Sequence, residues 1–313
     1  MIAIVVLMLL VVFFSQSFSK KETVKVTINS WVGFGPLFVA QEAGIFEKNG
    51  LSIEIVRMES APDRRASLLS GRVQVVASCL DDLAVTLSQE IKATAFCAAD
   101  YSNGGDAIIA KKGITLDESI RDHSIAVQPG FVHHFFLLYV LDKNEIPIDN
   151  LKISPMMAND AGAAFLAGNI DVAVTWQPYI SQAEQSSNGC VILASSKDYK
   201  EAILDLFIAK DDWLKDNPDF ATNFRKSWDE AVEYISKNPE EARKILSENL
   251  EINVDEVKEM LLDIEYLTSE KTKEEVVPEL DRLSEAVVRL WKQAGYIDKK
   301  KDINVREKIN FID

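Results

Sequence analysis

The sequence predicts an α/β protein of two lobes in which the chain enters the second lobe and later returns to the first. Three observations carry this. Short apolar, β-branched runs alternate with longer helical patterns from Val24 to Ala194, the mark of α/β layering with mainly parallel sheet. Two matched strands, AIIA (Ala107–Ala110) and LFIA (Leu206–Ala209), flank the middle of the chain and each runs into a lysine, as two crossover segments would. The last third is almost free of glycine and carries amphipathic helical stripes. A chain of 313 residues is long enough for two ordinary domains, each with its own core.

The first lobe reads in order. Val24 to Asn29 alternates as a strand, and Pro36 to Lys48 is a helix stopped by Asn49-Gly50. Leu51 to Met58 is a strand, Ala61 to Ser70 a helix ended by Gly71, Val73 to Ser78 a strand, Asp81 to Gln89 a helix and Ala93 to Ala98 a strand. The second lobe repeats this alternation with strand Ser124 to Val127, the very apolar helix Val132 to Asp142, strand Leu151 to Ser154 and helix Asp160 to Ala167. Strand Asp171 to Thr175, a helix from Pro178 and strand Cys190 to Ala194 complete it. The expected boundaries are residues 20–107 with 207–313 for the first lobe and 108–206 for the second. In the last third, Phe220, Phe224, Trp228, Ala231, Val232 and Ile235 share one helical face, as do Leu280, Leu283, Val287, Leu290 and Trp291. These stripes are expected to pack on the first lobe's sheet. Asn217-Pro218 and Asn238-Pro239 each place a capping residue before a proline.

Charge and targeting signals narrow the function classes. The net charge of -15 repels phosphate backbones, which sets nucleic acid aside as a partner. Ile2 to Phe14 is an unbroken apolar run, too short to span a bilayer as a helix, and Ser17-x-Ser19 offers a small-x-small cleavage site. Residues 1–19 therefore read as an export signal, with an uncleaved anchor or a buried strand as the other readings. No cysteine follows the run, so a lipid anchor is not indicated and a periplasmic or extracellular location is expected. Cys79, Cys97 and Cys190 lack metal-ligand spacing, and one disulfide among them stays open.

No nucleophile elbow, phosphate loop, zinc-binding helix or dinucleotide fingerprint is present, so no catalytic residue, metal or cofactor is assigned. Polar and aromatic residues gather instead after strands, where open α/β sheets bind ligands. They are Trp31 and Phe34 in a glycine-rich loop, Cys79 with Asp81 and Asp82, Asp106 closing DYSNGGD, Gln128 and Gly130 to His134, Asp160, and Trp176 with Tyr179. Six such ends over two lobes imply a cleft between them. Each feature also has a plain structural reading: the aromatics as core, Asp81 and Asp160 as helix N-caps, and His133 or His134 as packed residues.

The stretches WVGFGPLFVAQEAGIFEKNGLSIEIV (Trp31–Val56), AVQPGFVHHFFLLYVL (Ala126–Leu141) and NDAGAAFLAGNIDVAVTWQPY (Asn159–Tyr179) resemble the solute-binding proteins of ABC importers of the nitrate, sulfonate and taurine type, to which thiamine-pyrimidine binders are related. The resemblance implies the two-lobed periplasmic binding protein fold (type II), closing on a small solute and delivering it, as a monomer, to a membrane permease. Gln177 stands where the family has an acid, and Phe131 and His133 stand where small hydroxyl residues are usual. Losing those hydroxyls, and finding Asp81, Asp82, Asp106 and Asp160 beside aromatics, favours a compact guanidinium- or amidine-like cation as ligand. A sulfonate, taurine or nitrate anion held by the helix start after Gly130 is the alternative. A thiamine-pyrimidine-related binder or enzyme on the same fold is a further one.

Overall fold

The computed structural model describes residues 22–187 and 189–312, so the N-terminal apolar run and its cleavage site fall outside the described residues. Eleven strands, numbered along the described chain, form two sheets. The first comprises β1 (Val24–Ile28), β2 (Ile53–Arg57), β3 (Val75–Cys79), β4 (Ala93–Ser102), β10 (Leu204–Lys210) and β11 (Ile264–Tyr266), in the order β11-β4-β10-β3-β1-β2. The second comprises β5 (Asp106–Ala110), β6 (Ser124–Val127), β7 (Lys152–Pro155), β8 (Val172–Trp176) and β9 (Val191–Ser195), in the order β7-β6-β8-β5-β9.

Each sheet takes in one strand that has just crossed from the other. β5, fully buried along its length, runs antiparallel between β8 and β9, and β10 runs antiparallel between β3 and β4. The matched sequences AIIA and LFIA are thus interior strands of opposite sheets. The chain passes between sheets at residues 103–105 and again between Ser195 and Leu204, a few residues earlier than expected because Asp106 already pairs with Trp176 in the second sheet. Ser196 ties the two passages together: its hydroxyl lies 2.8 Å from that of Ser102 and accepts the N–H groups of Gly104 and Asp106.

Local chemistry accounts for the departures from the expected elements. Gly44 adopts a left-handed φ of 68° and splits the expected helix into Pro36–Glu42 and Ile45–Lys48. β4 continues four residues past Ala98, because β10 and β11 pair with it as far as Tyr101 and Ser102. Helix Ala61–Leu69 begins as its sequence suggests, with the Ser60 hydroxyl accepting from the Asp63 N–H. The three cysteines are free. No helix among the described residues is long and apolar enough to cross a membrane.

The C-terminal helices do two different jobs. In helix Phe220–Lys237, Phe224 and Trp228 pack on Phe207 of β10 with ring centroids 4.9 and 5.2 Å apart, inside the first lobe. Helix Leu280–Gln293 was expected on the first sheet, but it bridges the lobes. It lies against helix Leu80–Ser88 of the first and helix Val132–Lys143 of the second, and buries Leu283, Val287, Leu290 and Trp291. Trp291 meets Phe135 at 5.7 Å and donates to the Asp81 carbonyl, while Arg289 grips Asp142 through two 2.7 Å bonds. One hydrophobic core therefore runs from Leu83 of the first lobe through this helix to Phe135 and Val172 of the second. Beneath Trp291 the Asp81 carboxyl is 2% exposed with no partner for Oδ2, and burial pushes its pKa up to about 8.

Two outcomes follow for stability. Trp291→Ala should lower unfolding free energy by about 3–5 kcal/mol in urea titration, with Trp291→Phe costing less; a loss below about 1 kcal/mol would contradict a shared core. Because the folded state holds the Asp81 proton more tightly than the unfolded chain, its contribution is complete at low pH and is lost as pH rises toward about 8. The melting temperature should accordingly fall from mildly acidic to mildly alkaline pH, and Asp81→Asn should flatten part of that slope.

Candidate functional site

Parallel strands of both sheets end on the same slot, and the helices that follow them begin there. Helices Ala61–Leu69 and Leu80–Ser88 come from the first lobe, and Val132–Lys143 and Ala158–Leu166 from the second. Ala61, Cys79, Phe131, Val132, Met157 and Ala158, at or next to these helix starts, line one cavity of about 60 Å³, so four helix N-termini converge on it from two lobes. The N-cap residues Cys79, Phe131 and Met157 provide no side-chain cap, which leaves the first turns dependent on other acceptors. Converging positive dipole ends favour an anion.

Arg64 lines this cavity and its neighbour, a space of about 50 Å³. The residue is 6% exposed, donates through one nitrogen to the carbonyls of Met58 and Glu59 at 2.7 and 2.9 Å, and has no hydrogen-bond partner at Nε. Burial draws its pKa down, although carboxylates beyond bonding distance, Asp82 first, act the other way. A buried guanidinium with spare donors and no carboxylate bonded to it calls for an acceptor from outside. Asn29 lines both spaces, and Gln128 and Asn159 add amide groups to the first.

The second cavity is walled by Trp31, Phe34, Asp106, His133, Trp176 and Asp205. Trp31 and Trp176 stack across the lobes, 6.1 Å between centroids and 10° from parallel, and His133 meets Trp176 edge-on at 5.5 Å. Two glycines make room for Trp31. A Cβ on Gly105 would lie 2.4 Å from its ring, and one on Gly33 would strike both its indole nitrogen and Asp100. Trp31 Nε1 donates to Asp100 Oδ1 at 3.1 Å, and His133 Nε2 lies 2.9 Å from Asp106 Oδ1.

Of the residues singled out from sequence, Trp31, Phe34, Cys79, Asp82, Asp106, Gln128, Phe131, His133 and Trp176 line these two cavities. Five do not. Asp81 is buried against the bridging helix, and His134 packs between Trp291 and Tyr296 while accepting the Gly130 N–H at 3.1 Å. Gly130 itself abuts Tyr296. Asp160 is exposed on its helix, and Tyr179 packs on Gly162. Neither Asp81 nor Asp160 is an N-cap; they sit inside the first turns begun by Cys79 and Met157.

The four aspartates that suggested a cation are thereby accounted for. Asp82 pairs with Arg65 at 3.1 Å and accepts from the Ser78 hydroxyl, Asp106 is engaged by His133, and the other two lie elsewhere. Burial, and then Asp205, raise the Cys79 thiol well above its ordinary range, so it is no thiolate nucleophile. Asn29, Arg64, Ser78 and Asp205 were missed. Asp205 begins an antiparallel strand, so it reaches the slot from a strand's N-terminal end; an acid inside the apolar run AILDLFIA was its signal.

The pattern of the NMT1-like family matches residues 18–249. The taurine-binding periplasmic protein of Escherichia coli is 27% identical over 222 residues, which are 70% of this chain and 69% of that one. A putative aliphatic sulfonates-binding protein of Bacillus subtilis is 22% identical over 255 residues, covering 79% and 76%. Among solved structures, the periplasmic aliphatic sulphonate binding protein SsuA from Escherichia coli superposes with a TM-score of 0.75 at 17% identity over 92% of this chain and 97% of that one. The periplasmic nitrate-binding protein NrtA from Synechocystis gives 0.64 at 15% identity over 88% and 91%. The two-sheet architecture with its twice-crossing chain is the fold of these periplasmic binding proteins, and the chain belongs to the NMT1-like family.

Proposed function

We propose that this protein is the exported solute receptor of an ABC importer and that its ligand is a short-chain organic sulfonate, delivered to a membrane permease. The observation that carries the reading is Arg64, a buried guanidinium without a bonded carboxylate at the meeting point of four helix N-termini. Three sulfonate oxygens can take hydrogen bonds from the guanidinium and from first-turn N–H groups at once, and charge-assisted bonds of that kind are the strong ones. A second cavity beyond Arg64, walled by Trp31, Phe34 and Trp176, suits an organic tail, which favours a sulfonate over bare nitrate. The names of the taurine- and sulfonate-binding relatives point the same way. The hydroxyls absent at Phe131 and His133 are offset by backbone N–H groups and the amides of Asn29, Gln128 and Asn159. Binding without bond chemistry fits a site whose Cys79 thiol is held protonated.

Calorimetric titration of the wild-type protein with ethanesulfonate, nitrate and guanidinium tests this. Ethanesulfonate should bind best. Arg64→Ala should weaken it by about tenfold or more, about 1.4 kcal/mol, and Arg64→Lys should recover part of the loss. At about 100 times its Kd, ethanesulfonate should add about 2.7 kcal/mol to the wild type's stability. Guanidinium binding more tightly than every anion, with affinity unchanged in Arg64→Ala, would overturn the reading.

A further inference from the structure

Three strands of the first sheet set Cys79, Asp205 and Asp100 side by side, and the first two line the second cavity. In the ladder, Asp205 of β10 lies directly opposite Asp100 of β4 on one side and Cys79 of β3 on the other. Cys79 Sγ donates to Asp205 Oδ1 at 2.9 Å, Trp31 Nε1 donates to Asp100 Oδ1 at 3.1 Å, and Asp100 Oδ2 is buried without a partner. Asp100 is fully buried and Asp205 is 4% exposed. Like charges directly opposite in a sheet repel, and two carboxylates cannot hydrogen bond to each other without a proton between them. Neither carboxyl has an ion-pair partner among the described residues. The surrounding groups are Cys79, Tyr266 of β11, Asp106 with His133 opposite it, Arg64 across the cavity, and Asp81 and Asp82 beyond Cys79.

We propose that Asp100 and Asp205 share one proton and form the subsite that reads the far end of the ligand, accepting a hydrogen-bond donor there and rejecting a second anionic group. This rests on the sulfonate reading. Arg64 borders both cavities whereas Asp205 borders only the second, so a sulfonate held at Arg64 directs its other end toward Asp205. With the shared proton spent on Asp100, the Asp205 carboxyl keeps acceptor lone pairs for a ligand hydroxyl or amine. A carboxylate in the same place meets a pair that carries a net negative charge in a site with little water, and such a juxtaposition is repulsive. Desolvation holds the Asp100 carboxyl above the usual carboxylate range, so acidification neutralises the pair and relaxes the rejection.

The test is a matched set of ethanesulfonate, hydroxyethanesulfonate and sulfoacetate, titrated calorimetrically at about pH 8 and about pH 6. At the higher pH, hydroxyethanesulfonate should bind tightest and sulfoacetate about tenfold or more weaker than ethanesulfonate. The gap to sulfoacetate should narrow at the lower pH while ethanesulfonate changes little. The double variant Asp100→Asn with Asp205→Asn, which removes the charge of the pair, should shrink the gap at the higher pH. Equal binding of sulfoacetate and ethanesulfonate at about pH 8, or a gap unchanged in the double variant, would overturn the subsite while leaving a sulfonate receptor standing. A ligand-free readout separates the two readings: in an Asp81→Asn background, which removes the other buried protonated carboxyl, the infrared band of a protonated buried carboxyl should persist at about pH 8 and vanish when Asp100→Asn and Asp205→Asn are added. Its absence from the Asp81→Asn protein overturns the shared proton whatever binds; its presence there beside failure of every sulfonate overturns the ligand reading alone.

Discussion

The structure depends on one constraint of chain path, the two passages between sheets, pinned to each other by the hydroxyl of Ser196. Because the strand after each passage enters its new sheet antiparallel and at an interior position, the parallel strands on either side end toward the same slot. Helices that follow those strands must then start at the slot. Four N-termini from two lobes meet there as a consequence of topology, before any particular side chain is considered.

Side chains then set the charges of the slot. On one side Arg64 is fixed by two backbone carbonyls, so its orientation is set without neutralising it. On the other, Asp100, Asp205 and Cys79 lie side by side on three strands, and burial raises all three above their ordinary pKa ranges. The indoles of Trp31 and Trp176 close over this acidic end from opposite lobes. Behind the slot, the bridging helix with Trp291 and Arg289 joins the lobes through a continuous core. Any separation of the lobes has to slide on or break that contact, which links solute capture to packing far from the cavity.

Much of this was legible in the sequence, for physical reasons that also mark where legibility ended. Alternation of β-branched runs with helices identified the α/β class, and aromatic or polar residues after strands located the slot at Trp31, Gln128, His133 and Trp176. Partnership was not legible. Asp82 and Asp106 look free in a linear reading, whereas the fold brings Arg65 and His133 to them. Asp81 and Asp160 share a spacing with genuine caps, yet each helix starts slightly earlier. Asp205 was overlooked because a search of strand C-termini passes over a strand that runs the other way. The stripe of helix Leu280–Gln293 announced burial without saying that two lobes would share it.

The central claim is that a sulfonate head group sits where Arg64 meets the four helix starts. A crystal structure of the protein with ethanesulfonate bound addresses it most directly. The account requires sulfonate oxygens within about 3.2 Å of the Arg64 guanidinium and of backbone N–H groups at the starts of the Val132 and Ala158 helices, with the ethyl group toward Trp31 and Trp176. A head group seated beside Asp205, or a ligand outside the slot altogether, would contradict it.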